Sequence, residues 1–119
     1  MIKLDHFYIY VTDLDKAISF YQKILCSKVN HREGDRWADF DSGDGIYFGI
    51  FNVDNESYKV GDNITIALKT DDIKLEYERI KSLAPKEITD IIHLTEPYSY
   101  FYFQFKDEWG NNWEVAQYA

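Results

Sequence analysis

A β-α-β-β-β pattern runs twice along this chain, and a repeat at that scale restricts the fold more than any single motif can. The stretch "KLDHFYIYV" alternates as a strand does. It leads into "TDLDKAISFYQKIL", where Leu14, Ala17, Ile18, Tyr21, Ile24 and Leu25 recur at helical spacing behind a Thr12/Asp13 cap. Strand-like runs follow around "KVNHR", "RWADFD" and "IYFGIFNV". They are separated by Glu33-Gly34-Asp35 and Ser42-Gly43-Asp44-Gly45, both hairpin chemistry. The second pass reads "NITIALKT" as a strand and "DDIKLEYERIKSLA" as a helix. That helix has Ile73, Tyr77, Ile80 and Ala84 on one stripe and Pro85 as its stop. "EITDIIHL", "YSYFYFQF" and "NNWEVAQY" complete the set.

The two passes can be laid on one another. Placing Asp13-Leu14 on Asp72-Ile73 carries Phe7, Ile9 and Val11 onto Ile66, Leu68 and Thr70. Placing Gly45 on Gly110 carries Phe48 onto Trp113 and Ile50 onto Val115. Apolar falls on apolar almost throughout. The expected fold is α+β: two tandem βαβββ modules, residues 1–53 and 62–119, joined by a polar linker over 54–61 and forming a curved mixed sheet around a trough.

A chain of 119 residues supports one domain with a single core. Its net charge of −8 argues against a nucleic-acid backbone or an anionic membrane as partner. The only cysteine, Cys26, closes no intrachain disulfide, and at the apolar end of a helix it reads as a small buried residue. There is no charged start followed by an apolar run, and no stretch of membrane-spanning length, so the expected location is the cytoplasm. Asn55-Glu56-Ser57 and Asn63-Ile64-Thr65 match the glycosylation sequon without any sign of secretion.

Side chains alternate across a strand, so parity assigns faces. Phe7, Ile9 and Val11 form the set that packs under the first helix, leaving His6, Tyr8 and Tyr10 on the other side. In the last strand Trp113 and Val115 are the core set, and Asn112, Glu114, Ala116 and Tyr118 face away. If Phe101, Phe103 and Phe105 join the core, Tyr98, Tyr100, Tyr102 and Gln104 point with Glu114. With Tyr47 and Phe51 these rings would give an aromatic, hydroxyl-rich lining to a binding trough, or else a dimer interface, where tyrosine is also enriched. On the repeat alignment His6 falls on Thr65, and Glu114 falls on Gly49.

The whole chain resembles the vicinal oxygen chelate superfamily of glyoxalase I, bleomycin-resistance proteins, fosfomycin-resistance enzymes and extradiol dioxygenases. "LDHFYIYVTDLDKAISFYQKIL" is similar to that family's opening strand and helix. "FKDEWGNNWEV" is similar to its closing F-x-D-P-x-G-N-x-x-E, with Phe105, Asp107, Gly110, Asn111 and Glu114 matching and Glu108 replacing the proline. The resemblance implies four ligand positions, two on first strands and two on fourth strands. His6 and Glu114 match metal ligands, whereas Thr65 stands where a second histidine would be and Gly49 where glyoxalase I places a carboxylate. Threonine binds transition metals poorly and glycine offers no side chain, while catalytic metals commonly have three protein ligands.

The expectation is therefore a small-molecule-binding homodimer, of the bleomycin-resistance type, that takes an aromatic or cationic compound and needs no cofactor. Tyr8, Tyr10, Tyr100 and Tyr102 would stack and hydrogen-bond, and His6 and Glu114 would be polar anchors. A His–Glu pair could also move a proton. The alternative is a metal-dependent lyase, isomerase or dioxygenase in which His6, Glu114 and a third ligand such as Gln104 or Tyr102 hold iron, nickel, manganese or zinc. A third is an interaction module. His31 and His93 sit in corresponding second strands, which reads as coincidence, and Gly43-x-Gly45 reads as a hairpin turn.

Overall fold

The computed structural model describes residues 3–53, 60–61 and 64–118; the Asn55-Glu56-Ser57 sequon, Asn63 of the other and most of the 54–61 linker lie outside the described residues. The chain divides into two compact units, Met1–Val60 and Gly61–Ala119.

In the first unit, β1 (His6–Val11), α1 (Leu14–Leu25), β2 (His31–Glu33), β3 (Trp37–Asp41) and β4 (Tyr47–Asn52) follow in order. The sheet runs β1-β4-β3-β2, with β1 parallel to β4 and the other pairs antiparallel. Asp13 caps α1, accepting from the Lys16 amide at 3.1 Å, a contact worth about 1 kcal/mol. Leu14, Ala17, Ile18, Tyr21 and Ile24 bury the apolar stripe against Ile9, Val11, Phe48 and Ile50. Cys26 corrects its sequence reading. It ends α1 in the left-handed region at φ 51, its amide returning to the Gln22 carbonyl, and that turn leaves the residue exposed.

The second unit repeats the plan with β5 (Thr65–Lys69), α2 (Ile73–Ser82), β6 (Glu87–Ile88), β7 (Ile92–Leu94), β8 (Tyr100–Lys106) and β9 (Asn112–Tyr118). Its sheet runs β5-β9-β8-β6, with β7 also on β8. Asp72 caps α2 as Asp13 caps α1, accepting from the Leu75 amide at 3.1 Å. The strand registers reproduce the repeat alignment residue for residue. His6 opposite Tyr47 and Tyr8 opposite Gly49 become Thr65 opposite Asn112 and Ala67 opposite Glu114. Phe103, Phe105, Trp113 and Val115 are buried with Ile73 and Ile80, whereas Ala84 is exposed beyond the end of α2 at φ 53.

One difference between the halves has consequences. The single strand expected over 87–94 is two, because Asp90 and Ile91 together stand opposite Phe103. Such a bulge inverts the side-chain alternation beyond it. His93 therefore pairs with Phe101 on the helix-bearing face, its ring stacked at 4.2 Å, while His31 pairs with Asp39 on the face away from α1. Phe101 is correspondingly at the surface rather than in the core. Among the described residues, no helix is long and apolar enough to cross a membrane.

Candidate functional site

On the first unit, parity and register put His6, Tyr8 and Tyr10 of β1, Tyr47, Gly49 and Phe51 of β4, and Trp37 and Asp39 of β3 on the face away from α1. Trp37 dominates it. A Cβ at Gly49 would lie 2.1 Å from the Trp37 ring carbon Cη2, so the benzo edge of the indole fills the space a side chain there would need. The indole meets His6 edge-on at 5.6 Å and Tyr8 at 5.3 Å, and Tyr8 in turn contacts Tyr10 at 6.1 Å and Phe51 at 6.0 Å. Trp37 Nε1 donates to Asp39 Oδ2 at 2.9 Å, which fixes the ring. Around these rings lies a cavity of about 450 Å³ that Tyr47 and the carboxylates of Asp5, Glu33 and Asp39 also line. His6 donates through Nδ1 to Asp5 Oδ2 at 2.5 Å.

The equivalent face of the second unit is built differently. Tyr100 stacks with Tyr102 at 5.7 Å and with Tyr118 at 5.4 Å, and Tyr98 joins at 5.3 Å, giving a ladder of phenols. Desolvation by its neighbours, with smaller contributions from Tyr98, Glu114, Tyr102 and Tyr118, raises the Tyr100 pKa above the ordinary tyrosine value. Glu114 accepts from Gln104 Nε2 at 3.2 Å across the β8–β9 pair. Beyond them a cavity of about 510 Å³ is lined by Thr65, Glu87, Gln104, Lys106 and Asn112, with Lys106 Nζ donating to Asn112 Oδ1 at 2.8 Å.

The turn that delivers Glu114 is held from inside. Asp107 is fully buried and its Oδ1 accepts the amides of Trp109 at 3.0 Å and Asn111 at 2.9 Å. Its Oδ2 accepts Trp113 Nε1 at 3.0 Å, and Gly110 closes the turn at φ +81, where glycine is favoured. The acid in "FKDEWGNNWEV" that organises the structure is thus Asp107, and Glu114 is the one left on the sheet face.

His6 and Tyr8 stand together in the first cavity with Tyr47, and Tyr10 adjoins them; Tyr100 and Tyr102 stand in the ladder; Gln104 and Glu114 form a pair; Thr65 lines the second cavity. The sequence reading missed Trp37, Glu33 and Asp39. The signal was there: Ala38 and Phe40 are the core residues of β3, which places Trp37 and Asp39 on the other face.

The donors do not suit a catalytic metal. Among the described residues, no group of three His, Cys, Asp or Glu side chains is placed to hold one. The ring of Trp37 takes the space at Gly49, and Thr65 offers only a hydroxyl. No step through a metal follows from this set.

The model of the Glyoxalase/Bleomycin resistance protein/Dioxygenase superfamily matches residues 3–115. The chain is 31% identical over 117 residues to the uncharacterized protein YwbC of Bacillus subtilis (strain 168), covering 90% of this chain and 93% of that one. In fold it is similar to TnmS3, an antibiotic binding protein from Streptomyces sp. CB03234, at a TM-score of 0.77 and 18% identity, covering 100% of this chain and 98% of that one. A mutant of the fosfomycin resistance protein FosX from Listeria monocytogenes, complexed with Mn(II) and 1S,2S-dihydroxypropylphosphonic acid, superposes at a TM-score of 0.73 with 22% identity, over 97% of this chain and 90% of that one. The repeat, the register and the family match agree: the chain belongs to the glyoxalase/bleomycin resistance protein/dioxygenase superfamily.

Proposed function

We propose that the protein binds a small aromatic or cationic compound and does so without a catalytic metal. The observation that carries this reading is Trp37 lying over Gly49 in a cavity walled by Tyr8, Tyr47 and Phe51. Space that a ligating carboxylate could use is given to an aromatic surface, and each ring contact with a bound ligand contributes on the order of 1 kcal/mol. Tyr8, Tyr10, Tyr100 and Tyr102 supply stacking and hydroxyls; His6, Gln104 and Glu114 are polar anchors, with Thr65 at the edge of the second face. The antibiotic binding named for TnmS3 supports the class. The working form in this proposal is a cytoplasmic homodimer.

Equilibrium dialysis against a panel of planar aromatic and organic cationic compounds, with intrinsic fluorescence as a second readout, tests it. Saturable binding that Tyr8→Ala or Tyr102→Ala weakens is the expected result. An absence of binding across both compound classes, with the protein folded, overturns the proposal.

A further inference from the structure

The two aromatic faces differ in the shape of group they can hold. In the second unit the rings of Tyr102 and Tyr118 lie at 29° and 27° to that of Tyr100, a near-parallel stack. In the first unit Trp37 crosses Tyr8 at 75° and His6 at 80°, and Tyr8 crosses Tyr10 at 66°. Crossed rings wall in a rounded group rather than a slab.

The charges at the first cavity have one sign. Asp5, Glu33 and Asp39 line it, and among the described residues no lysine or arginine does. Among the described residues none of these carboxylates is paired with a lysine or arginine. Asp39 accepts from Trp37 Nε1 and from Asn30 Nδ2, both neutral, while Asp5 and Glu33 meet the imidazoles of His6 and His31. The hydrogen bond from the indole to Asp39 also enriches the Trp37 ring in electrons, which strengthens the attraction of its face for a cation. Phe51 is already engaged, the Arg36 guanidinium lying 5.4 Å from its centroid, which leaves Trp37 and Tyr8 as the rings open to a ligand.

We propose that the first-unit cavity is a receptor for an organic ammonium head group, methylated or otherwise alkylated, held against Trp37 and Tyr8 with Glu33 and Asp39 as counter-charges. This rests on the small-molecule-binding reading and narrows it. An alkylated ammonium loses less hydration than a primary one when it enters such a cage and presents an apolar, positively charged surface to the rings. A fully hydrated inorganic cation has no such complement here.

The test uses choline and its uncharged carbon analogue 3,3-dimethyl-1-butanol as probes, titrated at constant ionic strength into ¹⁵N-labelled full-length protein. The indole N–H signal of Trp37, assigned with Trp37→Phe, reports the cavity; those of Trp109 and Trp113 report that each variant is folded. Choline is expected to shift the Trp37 signal saturably and about tenfold more tightly than the analogue. Asp39→Asn keeps an acceptor for the indole and removes the charge. It and Glu33→Gln should each weaken choline by about threefold to tenfold and leave the analogue unchanged. Equal affinity for the two probes overturns the inference, as does a choline response away from Trp37. If 2-naphthol binds and choline does not, the ammonium assignment falls and small-molecule binding stands; if neither 2-naphthol nor choline binds, both fall.

Discussion

Trp37 and Gly49 are a single structural decision: the indole stands where the glycine has no side chain, with Cη2 2.1 Å from the position a Cβ would take. Gly49→Ala must push the ring off the sheet. The expected cost is about 1–3 kcal/mol of stability, with a red shift in tryptophan emission. In a Trp37→Ala background the same substitution should cost almost nothing, so a double-mutant cycle by chemical denaturation measures the coupling directly. An equal cost in both backgrounds would mean that the glycine serves something other than the indole.

Asp107 binds three N–H donors in a site without solvent. Asp107→Ala leaves them unsatisfied and is expected to cost about 3 kcal/mol. Asp107→Asn should fall between, since an amide nitrogen turned toward Trp113 Nε1 sets donor against donor. Thermal unfolding of the pair gives the order. Glu114→Gln, on the exposed side of the same hairpin, should change stability by only a few tenths of a kcal/mol.

Tyr100 sets a pH dependence in the alkaline range. Its pKa is raised in the folded state, chiefly by desolvation and then by the negative charge that its neighbours add. Below about pH 10 the phenol is neutral in both folded and unfolded chains, and its full contribution is present. As pH rises further the unfolded chain ionises first, so stability is lost until the folded-state value is passed. The alkaline leg of a Tm–pH profile should therefore be shallower in Tyr100→Phe than in the wild type.

Divalent metal gives a clean discrimination. With His6 committed to Asp5 and Glu114 to Gln104, added Mn²⁺, Ni²⁺, Fe²⁺ or Zn²⁺ should shift Tm equally in wild type and in His6→Ala/Glu114→Ala. A stabilisation present in the wild type and lost in the double variant would show that these residues hold a metal.

Much of this architecture was legible in the sequence because it rests on periodicity. Alternation placed His6, Tyr8 and Glu114 on the faces away from the helices, and the Asp13/Asp72 match set the register that the strand pairs follow. What escaped were features that periodicity does not encode. A bulge after Thr89 costs one extra residue and reverses every side chain beyond it, so His93 stands on the helix-bearing face and His31 on the other. The left-handed turn at Cys26 exposes a residue that an apolar pattern would bury. Trp37 was hidden for another reason. Its importance lies in what it covers, and Gly49 read by itself shows only a missing ligand.

Because the strand registers of the halves coincide, the molecule is its own two-member alignment. Positions on β1, β3 and β4 have counterparts on β5, β8 and β9, in the same chain and the same solvent. Trp37 and Gly49 answer to Tyr102 and Glu114, and Asp39 answers to Gln104. Exchanging such sets between the halves, rather than mutating either to alanine, compares two evolved solutions to one backbone.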